Sequence, residues 1–113
     1  MCLFCDIVAG KIPSTKVYEN DYVLCFKDIN PVAPVHVLVV PKKHFDDMNG
    51  LAADPEGALY SAEITKAIAE TAKISGVSEA YRTINNCGED AGQTVKHVHF
   101  HVIGGTSLTE KLI

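Results

Sequence analysis

The polar and apolar positions change period several times along the chain, and each change predicts an element. Lys16 to Glu19 and Tyr22 to Asp28 read as two short strands, with Glu19-Asn20-Asp21 as a polar turn between them. An antiparallel hairpin is expected there. Asp28 to Pro34 (DINPVAP) carries two prolines and reads as a loop. Val35 to Val40 is a β-branched run bounded by Pro34 and Pro41, as in a central strand. Asp54-Pro55 then marks a helix start, with Asp54 as cap and Pro55 in the first helical position. Tyr60, Ile64, Ala67, Ile68 and Thr71 share one helical face, and Glu63, Lys66, Glu70 and Lys73 share the other. Gly76 fits a helix stop. Tyr81 to Asn85 reads as a strand, Asn86 to Gln93 (NCGEDAGQ) as a glycine-rich loop, and Val95 to Ile103 as a last strand closed by Gly104-Gly105. The sum is an α+β domain: a five-stranded antiparallel meander with one long helix.

Composition changes this picture little. The 113 residues predict a single domain over 1–113. Apolar residues make up 47% and charged residues 21%, which argues against disorder. The net charge of −4 comes without a basic stripe, so extended electrostatic binding to nucleic acid is not expected. A single nucleotide in a local pocket is compatible with it. The opening MCLFCDIVAG has neither the basic start nor the long apolar core of a signal peptide, and the longest apolar run already contains His36. A cytoplasmic protein without membrane contact is the expectation. Cys2 and Cys5 form a C-x-x-C, which in a reducing compartment suggests metal or redox work.

The candidate chemistry sits in the last strand. His97, His99 and His101 are spaced by two, so their side chains share one face, while Val98, Phe100 and Val102 point to a core. His36 lies on a neighbouring strand and can join them. Three imidazoles on one face permit two readings: metal chelation, or nucleophilic catalysis with the middle histidine oriented by its neighbours.

The run His97-Val98-His99-Phe100-His101-Val102-Ile103 resembles the signature of the histidine triad family. The segments CLFCDIVAGKIPSTKVYEND, CFKDINPVAPVHVLVVPKKH and INNCGEDAGQTVKHVHFHVIGG extend the resemblance to its nucleotide-binding branch, in a bacterial-type member, over residues 2–105. The resemblance implies a five-stranded antiparallel sheet with one long and one short helix. It implies that His99 attacks the α-phosphorus of a nucleotide to form a covalent nucleotidyl-histidine. The carbonyl of His97 orients His99, His101 contacts the phosphate or leaving group, and His36 supports the cluster. Asn86, Gly92, Gln93 and Thr94 would line the phosphate. Phe4, Ile7, Phe26 and Ile29 would form the base slot, and Asp28 would accept from the ribose. Read from the residues alone, those apolar four are ordinary core residues, and Asp28 is a turn residue. Relatives with an N-terminal C-x-x-C imply a structural zinc held by Cys2, Cys5, His44 and His97. The implied substrate is a purine nucleoside phosphoramidate or a related 5′-phosphate derivative. Dinucleoside polyphosphate hydrolysis, a regulatory nucleotide-binding module and a three-histidine metal enzyme are the alternatives. A homodimer is expected, with the long helix and the Tyr81 strand as its contact. Cys25 is expected in the core, and Cys87 has no assigned role.

Overall fold

The computed structural model describes residues 2–111. Five strands form one sheet: β1 (Lys16–Glu19), β2 (Val23–Lys27), β3 (Val35–Pro41), β4 (Tyr81–Ile84) and β5 (Phe100–Gly104). Helix α1 (Leu3–Val8) precedes them, and α2 (Met48–Ala53) and α3 (Gly57–Ile74) separate β3 from β4. The β1–β2 hairpin forms where expected. Asn20 makes its turn by accepting the Tyr22 and Val23 N–H groups on Oδ1 at 2.8 and 2.9 Å.

All neighbouring strands are antiparallel, but the order is β1-β2-β3-β5-β4, so the meander holds only for the first three strands. Strands β3 and β4 both pair antiparallel with β5 and therefore run the same way. Same-direction strands cannot be joined by a tight turn, and α2 with α3 provides the long connection they need. The last strand enters between them, which puts His101 inside the sheet beside β3 and brings His97 and His99 to the start of that strand.

The expected helix start is also displaced. Asp54 ends α2 as its C-cap, and its carboxylate accepts the Glu56 N–H at 2.9 Å. Helix α3 begins at Gly57, where a Cβ would stand 2.1 Å from the Leu51 carbonyl oxygen. Glycine is required there because two helices meet backbone to backbone. The other end closes as expected, with Gly76 at φ +75° and Val77 N–H on the Ala72 carbonyl at 2.9 Å.

The two sheet faces are covered unequally. Val23, Cys25, Val37, Val39, Val98 and Val102 pack under α3 with Ile64 and Ala67. Leu24, Phe26, Leu38 and Val40 face the opposite way, against Phe4 and Ile7 of α1. A six-residue helix covers only part of that face, and the remainder is the floor of a cleft.

Candidate active site

His97, His99 and His101 do share the face that α1 partly covers. The Phe4 ring lies edge-on to His99 at 5.0 Å and to His97 at 6.0 Å, and His99 and His101 are 5.3 Å apart. Regular strand structure begins only at Phe100; Val95–His97 form a bend rather than the expected strand start. That bend separates the three rings into different environments.

His97 is fully buried, and its Nε2 meets the Pro41 carbonyl at 2.8 Å. A carbonyl only accepts, so Nε2 carries the proton and Nδ1 presents its lone pair. Burial pushes the His97 pKa down to about 4, with His44 and His99 adding to the effect and the Pro41 carbonyl opposing it. Its carbonyl in turn takes the Nδ1–H of His99 at 2.8 Å. His99 therefore holds its Nε2 lone pair free, the arrangement a nucleophilic imidazole needs. Asn85, which sequence reasoning missed, donates from Nδ2 to the His99 carbonyl at 3.0 Å and pins the same backbone from the other side.

His101 is set by a relay. The Val32 N–H donates to His36 Nδ1 at 3.1 Å, so neutral His36 carries its proton on Nε2. His36 Nε2 lies 2.8 Å from His101 Nδ1, which must then accept. The remaining proton of His101 sits on Nε2, so one backbone amide fixes His101 as a donor. Burial lowers the His101 pKa, as do His99 and His36, while Asp28 opposes them. His36 Nε2 also lies 3.4 Å from Asp28 Oδ2.

These groups line one cleft of about 520 Å³ together with Phe4, Ile7, Phe26, Asp28, Ile29 and Thr94. Phe4, Ile7 and Phe26 form its buried wall. Ile29 is 91% exposed and sits on the rim, so of the four residues expected to form the slot three are buried walls and one is an open edge. Asp28 Oδ1 accepts the Asn30 N–H at 2.8 Å, which folds the turn and leaves its other oxygen toward His36.

The glycine-rich loop is less available for phosphate than its composition suggests. The Gly92 N–H already donates to the Glu89 carbonyl at 2.9 Å, and the Gln93 N–H to the Gly88 carbonyl at 3.1 Å. Those two amides build the loop. Thr94 lies exposed at the cleft, and Glu89 and Asp90 face solvent as expected. Gly92 has φ +93°, and its Cα side approaches the Asn86 amide, 3.9 Å from where a Cβ would be.

A second cluster joins Cys2, Cys5, His44 and His97, whose ligand atoms all lie within 4.8 Å of one another. Cys2 Sγ is 3.3 Å and Cys5 Sγ 3.5 Å from His97 Nδ1, and Cys5 Sγ is 3.3 Å from His44 Nδ1. The two Nδ1 atoms are 3.2 Å apart. Tetrahedral ligands at ordinary zinc bond lengths stand roughly 3.3–3.8 Å apart, so the donor set suits one such ion. His44 Nε2 is held by Asp46 Oδ1 at 2.7 Å and His97 Nε2 by Pro41, so both Nδ1 lone pairs converge. Burial raises the Cys5 thiol to about 11, assisted by its hydrogen bond and charge interaction with Cys2. A bound cation would displace the thiol protons. Asp46 lies two residues from a candidate ligand, which is the one signal in the sequence that points to it. The three triad rings do not converge as one ligand set: His97 Nδ1 looks into this cluster, while His99 and His101 face the cleft.

Cys25 is fully buried in the α3-side core, and Cys87 is half-buried beside the loop. No helix among the described residues is long and apolar enough to cross a membrane.

Comparison with known proteins agrees with this geometry. The family model described as HIT domain matches residues 9–108. Protein HitA of Neisseria gonorrhoeae is 43% identical over 103 residues, covering 91% of this chain and 94% of its own. A histidine triad protein from Clostridium difficile, solved at 0.95 Å resolution, is 47% identical with a TM-score of 0.89, covering 98% of this chain and 96% of its own. A HIT family hydrolase from Legionella pneumophila Philadelphia 1 superposes with a TM-score of 0.91 at 39% identity, over 97% of each chain.

Proposed function

The chain belongs to the histidine triad family, and on that premise we propose that it is a nucleotide-binding hydrolase acting on purine nucleoside phosphoramidates or related nucleoside 5′-phosphate derivatives. The observation that carries this reading is the pair of fixed tautomers: His99 with a free Nε2 lone pair, and His101 with a free Nε2–H, side by side in one cleft.

The base lies between Phe4, Ile7 and Phe26, with Ile29 closing over its edge. Asp28 offers its carboxylate to the ribose hydroxyls. The α-phosphate faces His99, with Asn86, Thr94 and His101 around its oxygens and Gly92 and Gln93 shaping the loop behind Thr94. His99 Nε2 forms a bond to the α-phosphorus as the bond to the leaving group breaks. One proton follows the leaving group from the His101 side. Water then cleaves the nucleotidyl-histidine and returns one proton to the same side. The His97 carbonyl stabilises the charge that appears on the His99 ring during the intermediate.

Cys2, Cys5, His44 and His97 hold a structural zinc in this reading, because two thiolates and two imidazoles in a closed set leave no position open for substrate. Bound there, zinc supplies a cross-link between α1 and the end of β3, and no electrophile. Strand β4 ends the sheet with one free edge, and a second copy paired along it with α3 completes a homodimer.

His99→Ala tests the central assignment. Turnover of adenosine 5′-phosphoramidate should fall by about 10³-fold or more while adenosine monophosphate still binds. Rapid-quench mass spectrometry of the wild type should detect a nucleotidyl-protein adduct that is absent from the variant. Full activity in His99→Ala would overturn the mechanism.

A further inference from the structure

We propose that Gln93 is a positioning residue that couples the phosphate side of the cleft to the Cys2–Cys5–His44–His97 cluster, so that the two sites bind their ligands cooperatively. The inference rests on the nucleotide-binding reading above and adds a control to it.

Gln93 is half-buried, and its amide spends every polar atom on backbone. Oε1 accepts the Gly88 N–H at 2.9 Å. Nε2 donates to the Asp46 carbonyl at 2.7 Å and to the Val95 carbonyl at 3.1 Å. Its own N–H closes the loop on the Gly88 carbonyl at 3.1 Å. Only this amide orientation satisfies all three partners, since one is a donor and two are acceptors.

Both acceptors belong to the surroundings of a metal-ligating histidine. Asp46 holds His44 Nε2 through its carboxylate at 2.7 Å. The Val95 carbonyl also takes the His97 N–H at 2.9 Å. One side chain thus ties the glycine-rich loop to both histidine ligands. When an ion draws His44 and His97 together, Asp46 and Val95 are fixed, and Gln93 holds Gly88 and Thr94 in place with them. Without the ion, His44 is an exposed side chain on a loop, and that restraint loosens.

A second route runs from the cluster to the cleft. Cys2 and Cys5 anchor α1, which carries Phe4 and Ile7. That route acts on the base, whereas Gln93 acts on the phosphate. Adenosine and adenosine monophosphate therefore separate the two.

Dissociation constants for both ligands should be measured on zinc-loaded and chelator-stripped full chain, in wild type and in Gln93→Met. The methionine keeps the length and lacks the hydrogen bonds without adding charge. In the wild type, stripping should weaken the monophosphate about tenfold more than it weakens adenosine, within the usual range for coupled sites. In Gln93→Met that extra factor should fall to within about twofold, while adenosine binding is retained as a check on the fold. By linkage the monophosphate should tighten zinc by the full factor that stripping weakens it, and so about tenfold more than adenosine does. Equal weakening of both ligands in the wild type overturns the proposal, and so does an undiminished extra factor in Gln93→Met. If zinc-loaded wild type binds neither ligand, the nucleotide-binding reading itself fails, and this inference with it.

Discussion

Replacing His36 by phenylalanine asks whether the relay from Val32 to His101 matters, and the structure sets the size of the answer. In the wild type, His101 with its proton on Nδ1 would face the His36 Nε2–H across 2.8 Å. That state loses a hydrogen bond and opposes two donors, a cost of roughly 2–3 kcal/mol. The productive tautomer is then favoured by about 30- to 100-fold, at 1.4 kcal/mol per decade. In His36→Phe the two tautomers become nearly equal in energy, so about half the molecules present the wrong face. Loss of the ring's anchor adds a further few-fold. The expected loss in kcat is about tenfold with KM nearly unchanged, far smaller than the loss from His99→Ala. Stability should change by only about 1 kcal/mol, because Val32 is 73% exposed and water replaces its lost acceptor.

The same variant has a pH consequence. Burial, His99 and His36 hold the His101 pKa below the ordinary histidine value. Protonating His101 at Nδ1 breaks its bond from His36, so activity falls as pH drops through that lowered pKa. Removing His36 takes away one lowering cause and should move the acid limb to higher pH. The linked stability has a matching sign: with the folded value below the unfolded one, it is present above about pH 6.5 and is lost as pH falls beneath that. Steady-state kinetics across pH and nitrogen NMR of His101 measure both effects. A kcat within twofold of wild type would refute the relay. A loss equal to that of His99→Ala would give His36 a direct part in the chemistry.

Two further outcomes follow from contacts outside the cleft. Asp46→Ala frees His44 Nε2 and should weaken zinc by about 10- to 100-fold in a chelator competition; an unchanged affinity would remove Asp46 from the site. Gly57→Ala should destabilise the protein by about 1–3 kcal/mol, because its Cβ would stand 2.1 Å from the Leu51 carbonyl oxygen. Helix propensity alone predicts a gain of about 1 kcal/mol, so a rise in Tm by calorimetry would refute the packing argument.

Periodicity revealed what depends on local pattern. Lys16–Glu19 and Val35–Pro41 are strands because β-branched and aromatic residues suit a sheet wherever it pairs. Pairing order was not legible, since nothing within Phe100–Gly104 says that it enters between β3 and β4 rather than at an edge. The start of α3 was misread because Asp54-Pro55 has the composition of a helix start, while the contact of Gly57 with Leu51 is tertiary. The roles that the resemblance implies could be named, the His97 carbonyl among them. The Val32 amide and the Pro41 carbonyl could not, because they carry no side-chain signal, and the Asn85 amide could not, because its contact with the His99 carbonyl is tertiary. Gly92 and Gln93 were expected to offer amides, and both amides are consumed in building the loop.

The division of His97 explains how the Cys–His cluster can share a residue with the segment that carries the proposed nucleophile. Its ring is committed twice, with Nε2 on Pro41 and Nδ1 in the cluster, and neither atom is left for substrate. Its carbonyl is committed to His99. Fixing the ring therefore fixes the carbonyl, since both belong to one residue buried without freedom to turn. A water-bound carbonyl would reorient as the His99 ring gains charge. One anchored by a ring held on the Pro41 carbonyl and in the Cys–His cluster does not, and such preorganised dipoles contribute most to stabilising developing charge. Asn85 reinforces this from the next peptide, holding the His99 carbonyl while His97 holds the His99 ring. The proposed nucleophile is thus clamped through its own backbone on one side and its ring on the other. Its Nε2 has no such restraint from the protein, and it is the atom the proposed chemistry leaves to the phosphorus.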